Sequence, residues 1–409
     1  MTDMVGIDTE NPLPYPLKPP TALTPPTEWE ALRRECPVAH VTFPSGDGAR
    51  LLTRYEDVRT ALSDPRFSRS GLSSPDAARV SAGGSDDIFN SPMARTLHSV
   101  GQARWRSMVA RYFTAKRMAA LRPDMQAATG QLIDAMTDGK NTANLVPELA
   151  FPLPVYIICQ MLGVPEADRD RFKVWSDAFL NTTRFTREEM DAAYQDFAGY
   201  MAGLVAEKKA APGQDLISVL LTGDDGAGEP MAEDALVATG QALLLAGHET
   251  TAGYLALMVA HLLSDRGRWE QLLADRSLIR HAVEESLRFD PNGASFGMLR
   301  YAHEDTELSG TVVPAGTTVV CSMASANRDE EAWQNAADMD LTRSPNPHLA
   351  FGAGPHSCLG QQLARTEMQT VLGVLLDRLP TLRLAVEPDQ LLSQEGLLTA
   401  PLQGLPVTW

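Results

Sequence analysis

Phe351-Gly-Ala-Gly-Pro-His-Ser-Cys-Leu-Gly360 is a glycine-rich run immediately ahead of residues 361–379, whose apolar side chains recur at helical spacing. Cys358 therefore sits on a loop just where a helix begins. The free N–H groups and positive dipole end of a helix N-terminus both stabilise a thiolate. The glycines let backbone amides come close to the sulfur, and Gly360 leaves room for a flat group against the helix. A lone cysteine is most often a small buried hydrophobe. Here, however, the full pattern Phe-x-x-Gly-x-His-x-Cys-x-Gly would arise by chance in a chain of this length with odds of about 10⁻⁵ to 10⁻⁴. Placement and pattern together read Cys358 as built to be an anion. Cys36, Cys159 and Cys321 have no such setting, and four cysteines without a CxxC pair make neither a disulfide framework nor a zinc site.

Working outward, residues 231–264 predict one helix of roughly 34 residues, on the order of 50 Å long. It is nearly apolar in its middle, which places it at the centre of a large domain. Ala246-Gly-His-Glu-Thr-Thr251 interrupts that apolar stretch. A carboxylate and adjacent hydroxyls are costly there unless paired or functional. Gly247 weakens the helix locally, and Thr250 or Thr251 can bond back to a carbonyl, so a kink or widened turn is expected. Glu285-Ser-Leu-Arg288 is a third signal, weak by itself: Glu30/Arg33, Glu56/Arg59 and Glu166/Arg169 repeat the spacing, and these three read as exposed helix pairs.

The rest of the chain gives the class. Residues 11–27 are proline-rich and predict an irregular lead-in rather than part of the core, with a single domain over 28–409. Residues 40–43 and 49–53 flank a glycine-relaxed turn and predict a β-hairpin. Residues 70–93 read as a long loop. Amphipathic helices are expected over 104–113, 117–137, 168–180 and 188–209, and short strands over 307–309, 311–313 and 317–320. The expected architecture is mostly α with a small β region.

The net charge of −17 argues against nucleic acid or an anionic membrane surface as partner. No apolar stretch reaches the roughly 18 to 20 residues of a membrane span. Asp3, Asp8 and Glu10, then Pro12, Pro14, Pro16, Pro19 and Pro20, stand where a signal peptide needs basic and apolar residues. A cytoplasmic monomer is the expectation.

The cysteine run, Ala246 to Thr251, Glu285/Arg288 followed by Arg343, Ala326-Asn-Arg-Asp329 and His348-Leu-Ala-Phe351 together resemble the cytochrome P-450 family from about Tyr15 to Trp409. The resemblance is specific in the last third and loose in the loops. It implies helices around a buried haem b, with Cys358 as ligand to the iron and Phe351, Gly352, Gly360, Ala246 and Gly247 against the ring. It makes Glu249 and Thr250 an acid–alcohol pair beside bound dioxygen and leaves His248 without a role. It turns Glu285, Arg288 and Arg343 into a buried network that fixes the cysteine loop. Arg106, Arg300 and His356 fall where the family holds the two propionates, with Arg104 facing out. Gln102 stands where the family usually has a histidine, so it offers that contact a hydrogen bond without charge.

The function so implied is a monooxygenase that inserts one oxygen atom of O2 into an apolar small molecule, as bacterial tailoring enzymes for polyketides, macrolides or terpenoids do. Thiolate donation favours O–O cleavage over reversible storage. The pocket wall is expected at Phe89, Met93, Leu243, Ala246, Gly247, Ala294, Ser295, Phe296 and Leu398, which suits an apolar substrate. No flavin or nicotinamide domain fits beside this fold, so ferredoxin and ferredoxin reductase are the expected electron donors. Two rivals stand beside this reading. A haem sensor or carrier would need no Glu249-Thr250 relay, and a cysteine hydrolase using His356 as base would be colourless.

Overall fold

The central helix, Glu233–Leu263, explains the rest of the architecture. The computed structural model describes residues 11–80, 91–180, 186–223, 230–289, 296–394 and 401–409. By length and composition this helix could cross a membrane, yet 61% of its most apolar window is buried inside the protein. An all-round apolar helix finds no solvent face and so is wrapped by others: Pro152–Leu162, Arg187–Ala210 and Pro92–Val100 pack along it. The glycines permit close approach. A Cβ on Gly240 would run into Met201 Cε, and one on Gly247 would lie 3.2 Å from Ile158 Cδ1.

The helix after the cysteine loop, Gln361–Arg378, packs on Arg122–Thr137 and on Ile279–Phe289, the helix of the Glu-x-x-Arg pair. Beside the helices lies a six-stranded sheet in the order Leu13–Pro14, Val38–Thr42, Gly48–Leu52, Thr318–Cys321, Met298–Ala302, Phe67–Ser68. The expected hairpin is its second and third strands, with Val38 opposite Leu52 and Thr42 opposite Gly48. Pairing of Met298–Ala302 with Thr318–Cys321 places Arg300 opposite Val319.

Four expectations are corrected. The proline-rich lead-in contributes to the core at its start: Leu13 and Pro14 pair in parallel with Val41 and Thr42, and buried Tyr15 meets Phe43 and Phe296 edge-on or tilted. Prolines are tolerated on this edge strand because one side needs no ladder donors. The helix expected over 117–137 is two, Ala115–Ala120 and Arg122–Thr137, since Pro123 cannot donate to the preceding turn but suits a helix start. The loop expected to reach Met93 ends at Ser91, which caps Pro92–Val100. Arg33 does not pair with Glu30. It is buried and reaches Glu330 at 2.7 Å and Ser325 Oγ at 3.2 Å.

Candidate functional site

Cys358 follows a short 3₁₀ turn, Gly354–His356, and precedes the helix capped by Gly360. Its N–H donates to Phe351 O at 2.8 Å, closing the loop on itself. Gly354 takes φ +68°, and a Cβ there would meet Leu62 O at 2.6 Å, so only glycine fits. The sulfur has an open surface although protein crowds it, which puts it at the floor of a hollow rather than on the outer surface. Burial pushes the thiol up. The Gly360 N–H, Arg106 and Arg365 pull it back. Desolvation thus opposes the helix start at this sulfur, and a cation held beside it would favour the anion.

The central helix carries the matching open surface. Ala246 and Thr250 are exposed, and Ala242, Gly247 and Gly253 are half-buried, while Leu243, Leu244, Leu245, His248, Thr251 and Ala252 are buried. Spacings of three and four put the open residues on one stripe of an otherwise buried helix. Thr250 Oγ1 donates to Ala246 O at 3.0 Å and Thr251 Oγ1 to Gly247 O at 3.4 Å, as expected, but the helix runs on unbroken. The missing Cβ of Gly247 points to Ile158 of the neighbouring helix, so its smallness serves helix packing. Glu249 is half-buried. His248 is turned inward, Nδ1 near Leu244 O and its ring edge-on to Phe151 at 5.6 Å.

Positive groups gather around the cysteine loop. Arg106 donates to Ser357 Oγ at 3.1 Å, Arg300 is buried on its strand, and both act electrostatically on His356. Two further members, Arg69 and His98, were missed by sequence reasoning because nothing in their local pattern distinguishes them. Burial drives His356 down to about 4, helped by Arg69, Arg300, Arg106 and His98. Burial and like charge both favour the neutral ring, and an anion held beside it would act in the opposite sense. Burial and Arg300 likewise bring Arg69 down to about 10. Groups that oppose one another's protonation make a site suited to an anion, and a flat ring bearing two carboxylates fits it. Arg104 is exposed, as expected. Gln102 Nε2 donates to Pro355 O at 2.7 Å, so this residue holds the loop instead of offering its N–H outward.

The buried network is fully formed. Arg288 uses all five N–H donors: on Glu285 at 2.8 and 2.7 Å and on the carbonyls of Asn327, Ala336 and Asp338 at 2.8 to 2.9 Å. Arg343 Nε reaches both Glu285 oxygens at 3.1 Å. The Asp340 N–H and Asn346 amide also donate to that carboxylate. Asn327 Oδ1 in turn accepts the Leu349 N–H at 2.7 Å, which links the network to the segment leading into Phe351. Phe351 is flanked by the Arg365 guanidinium, 4.4 Å from its centroid, and by His348 at 5.8 Å. Gly352 takes φ +66° in the turn between them.

Of the expected pocket wall, Met93 and Leu243 are nearly buried in the main core. Phe296 packs beside Tyr15 in the sheet cluster. Phe89, Ala294, Ser295 and Leu398 lie outside the described residues.

The cytochrome P-450 family model matches residues 265–405. The chain is 42% identical over 408 residues, 99% of its length and 100% of the relative's, to a nocardicin C N-oxygenase of Nocardia uniformis subsp. tsuyamanensis. It is 40% identical over 97% of its length, and 99% of the relative's, to a mycinamicin IV hydroxylase/epoxidase of Micromonospora griseorubida. Among solved structures, the putative thioether synthase SgvP, involved in the tailoring step of griseoviridin, superposes with a TM-score of 0.88 at 35% identity, covering 98% of this chain and 100% of that one.

Proposed function

Because the chain belongs to the cytochrome P-450 family, we propose that it is a haem-thiolate monooxygenase that oxidises an apolar natural product. The observation that carries this reading is the exposed Cys358 in its glycine-rich loop, with Arg106 acting on its sulfur and Arg69, Arg106 and Arg300 acting on His356 two residues away. Cys358 would hold the iron of haem b, and the cation cluster its propionates. When bound, the haem supplies the activation of dioxygen and the oxidation of a C–H or C=C bond. The similarity of the chain to oxygenases, hydroxylases and epoxidases gives no support to a carrier without turnover.

The chain's own residues do the positioning. The open stripe of the central helix would face the substrate, with Ala246 leaving space. Glu249 and the Thr250 hydroxyl would pass protons inward. The acid–alcohol role is supported by the exposure of Thr250 on a buried helix, where its hydroxyl already turns back to Ala246 O. Thr250→Ala should lower stability by only about 1 to 2 kcal/mol and spare haem content. Product formed per NAD(P)H oxidised should fall while hydrogen peroxide rises, because a positioned relay is worth about 10²- to 10⁴-fold and water restores part of it. A variant as tightly coupled as wild type would remove Thr250 from the mechanism.

Relatives that act on nocardicin C and mycinamicin IV support a tailored natural product as substrate, and polyketides, macrolides and terpenoids are the classes to try. Titrating purified enzyme with such compounds should shift the Soret band for the substrate class and yield a product with one added oxygen. No shift across the set would overturn the substrate class.

Electrons would come from a ferredoxin and its reductase to a monomeric, cytoplasmic enzyme. Arg104, Arg111, Lys116 and Arg117 are all exposed, and Arg117 lies over the Tyr112 ring at 4.6 Å, which supports a basic docking face on an acidic protein. Charge reversal there should slow reduction, most at low salt. Rates indifferent to both mutation and ionic strength would place docking elsewhere.

A further inference from the structure

A second cavity of about 420 Å³ lies between the helices Arg122–Thr137, Ile279–Phe289 and Gln361–Arg378 and the segment around Arg343. That is within the range of small-molecule sites, about 300 to 1,000 Å³. Its charged lining is Arg122, Arg280, Arg343, Arg365 and Glu284, with His281 beside them. Arg343 is engaged by Glu285, and Arg365 by Glu284 at 2.8 and 3.0 Å. Among the described residues Arg122 reaches only neutral groups, Thr370 Oγ1 at 3.4 Å and Gln369 Oε1 at 3.3 Å. Arg280 is exposed and has no carboxylate partner among the described residues. Two guanidinium charges are thus left uncompensated in a concave site of a chain whose net charge is −17.

We propose that this cleft binds a small phosphate-type oxyanion, inorganic phosphate or a phosphomonoester, through Arg122 and Arg280, and that its occupancy is felt at the cysteine loop through Arg365. Planar guanidinium forks match tetrahedral oxyanions better than they match a point charge. The link is short. Arg365 lies between Glu284 and the Phe351 ring, and Phe351 O accepts the Cys358 N–H at 2.8 Å. An oxyanion competes with Glu284 for Arg365 and so loosens or shifts Phe351. His348, which also bonds Glu284 at 3.1 Å, shares that response.

The test is calorimetry of the protein as purified with inorganic phosphate, then with glycerol phosphate, against chloride at matched ionic strength. Saturable phosphate binding is expected, weakened at least tenfold in Arg280→Glu and in Arg122→Glu and unchanged in Arg104→Glu. Tighter binding of the ester would assign the site to phosphomonoesters, and equal binding to free phosphate. A Soret perturbation should track occupancy in wild type. Heats indistinguishable between wild type and Arg280→Glu, or absent beyond the chloride control, overturn the site. Slower ferredoxin-driven reduction in Arg280→Glu without phosphate binding overturns it too, in favour of a protein partner. Binding without any Soret change overturns the link to the loop. Calorimetry does not rest on the haem reading, whereas the Soret readout does, so the two failures are distinguishable.

Discussion

Cys358→His and Cys358→Ser should lose the strongly red-shifted Soret band that is expected of the reduced wild-type protein under carbon monoxide. No other sulfur can substitute. Cys159 and Cys321 are buried, their thiols pushed up to about 12 by desolvation, and Cys36 is partly buried away from any helix start. At position 358 the sulfur alone combines an open surface with a backbone N–H donor and nearby guanidinium groups. Histidine offers a neutral nitrogen and serine a hydroxyl with a far higher pKa, so neither supplies thiolate donation. The measurement is the reduced carbon monoxide difference spectrum, with haem content assayed separately. A band at the wild-type position in either variant would mean that Cys358 is not the ligand.

Arg288→Ala has the largest expected effect on stability, about 3 to 5 kcal/mol, because it leaves the buried Glu285 carboxylate short of its nearer partner. Both side chains are completely buried at a separation of 2.7 Å. The substitution also orphans three carbonyls, those of Asn327, Ala336 and Asp338. Domains are stable by only about 5 to 15 kcal/mol, so the variant should unfold at a much lower denaturant concentration and retain haem poorly. Arg288→Lys should recover little, since one ammonium cannot serve five fixed directions. Arg343→Ala should cost less, because its guanidinium lies nearer solvent. The test is the midpoint of urea unfolding for the three variants. An Arg288→Ala unfolding free energy within about 1 kcal/mol of wild type, from midpoint and slope together, would show that this network does not hold the loop.

The parts of the site that were legible in the sequence are those carried by short local patterns. The cysteine loop announces itself through glycine spacing and the helix behind it. The central helix announces itself through continuous apolarity, and Thr250 through being polar within it. Glu285 is singled out from four equal Glu-x-x-Arg copies by its place ahead of Arg343 and the cysteine loop, and the structure buries it completely. The same local pattern misled at Glu30/Arg33, where the arginine turns to Glu330, almost 300 positions later. Pro152–Leu162 was overlooked because prolines in its first turn mask an otherwise continuous apolar run.

The sequence by itself determined the helical class, the ligand candidate and the polar break in the central helix, because period, glycine placement and apolar continuity act within a few residues of chain. Only the tertiary structure decided where the charges go. Arg69 and His98 join Arg106, Arg300 and His356, Gln102 bonds the loop rather than facing outward, and the missing Cβ of Gly247 makes room for Ile158. The thiol of Cys358 is raised by crowding from residues far away in the chain, against what its own helix start would do. Desolvation and charge proximity depend on which distant segments meet, and no local pattern in the chain encodes that meeting.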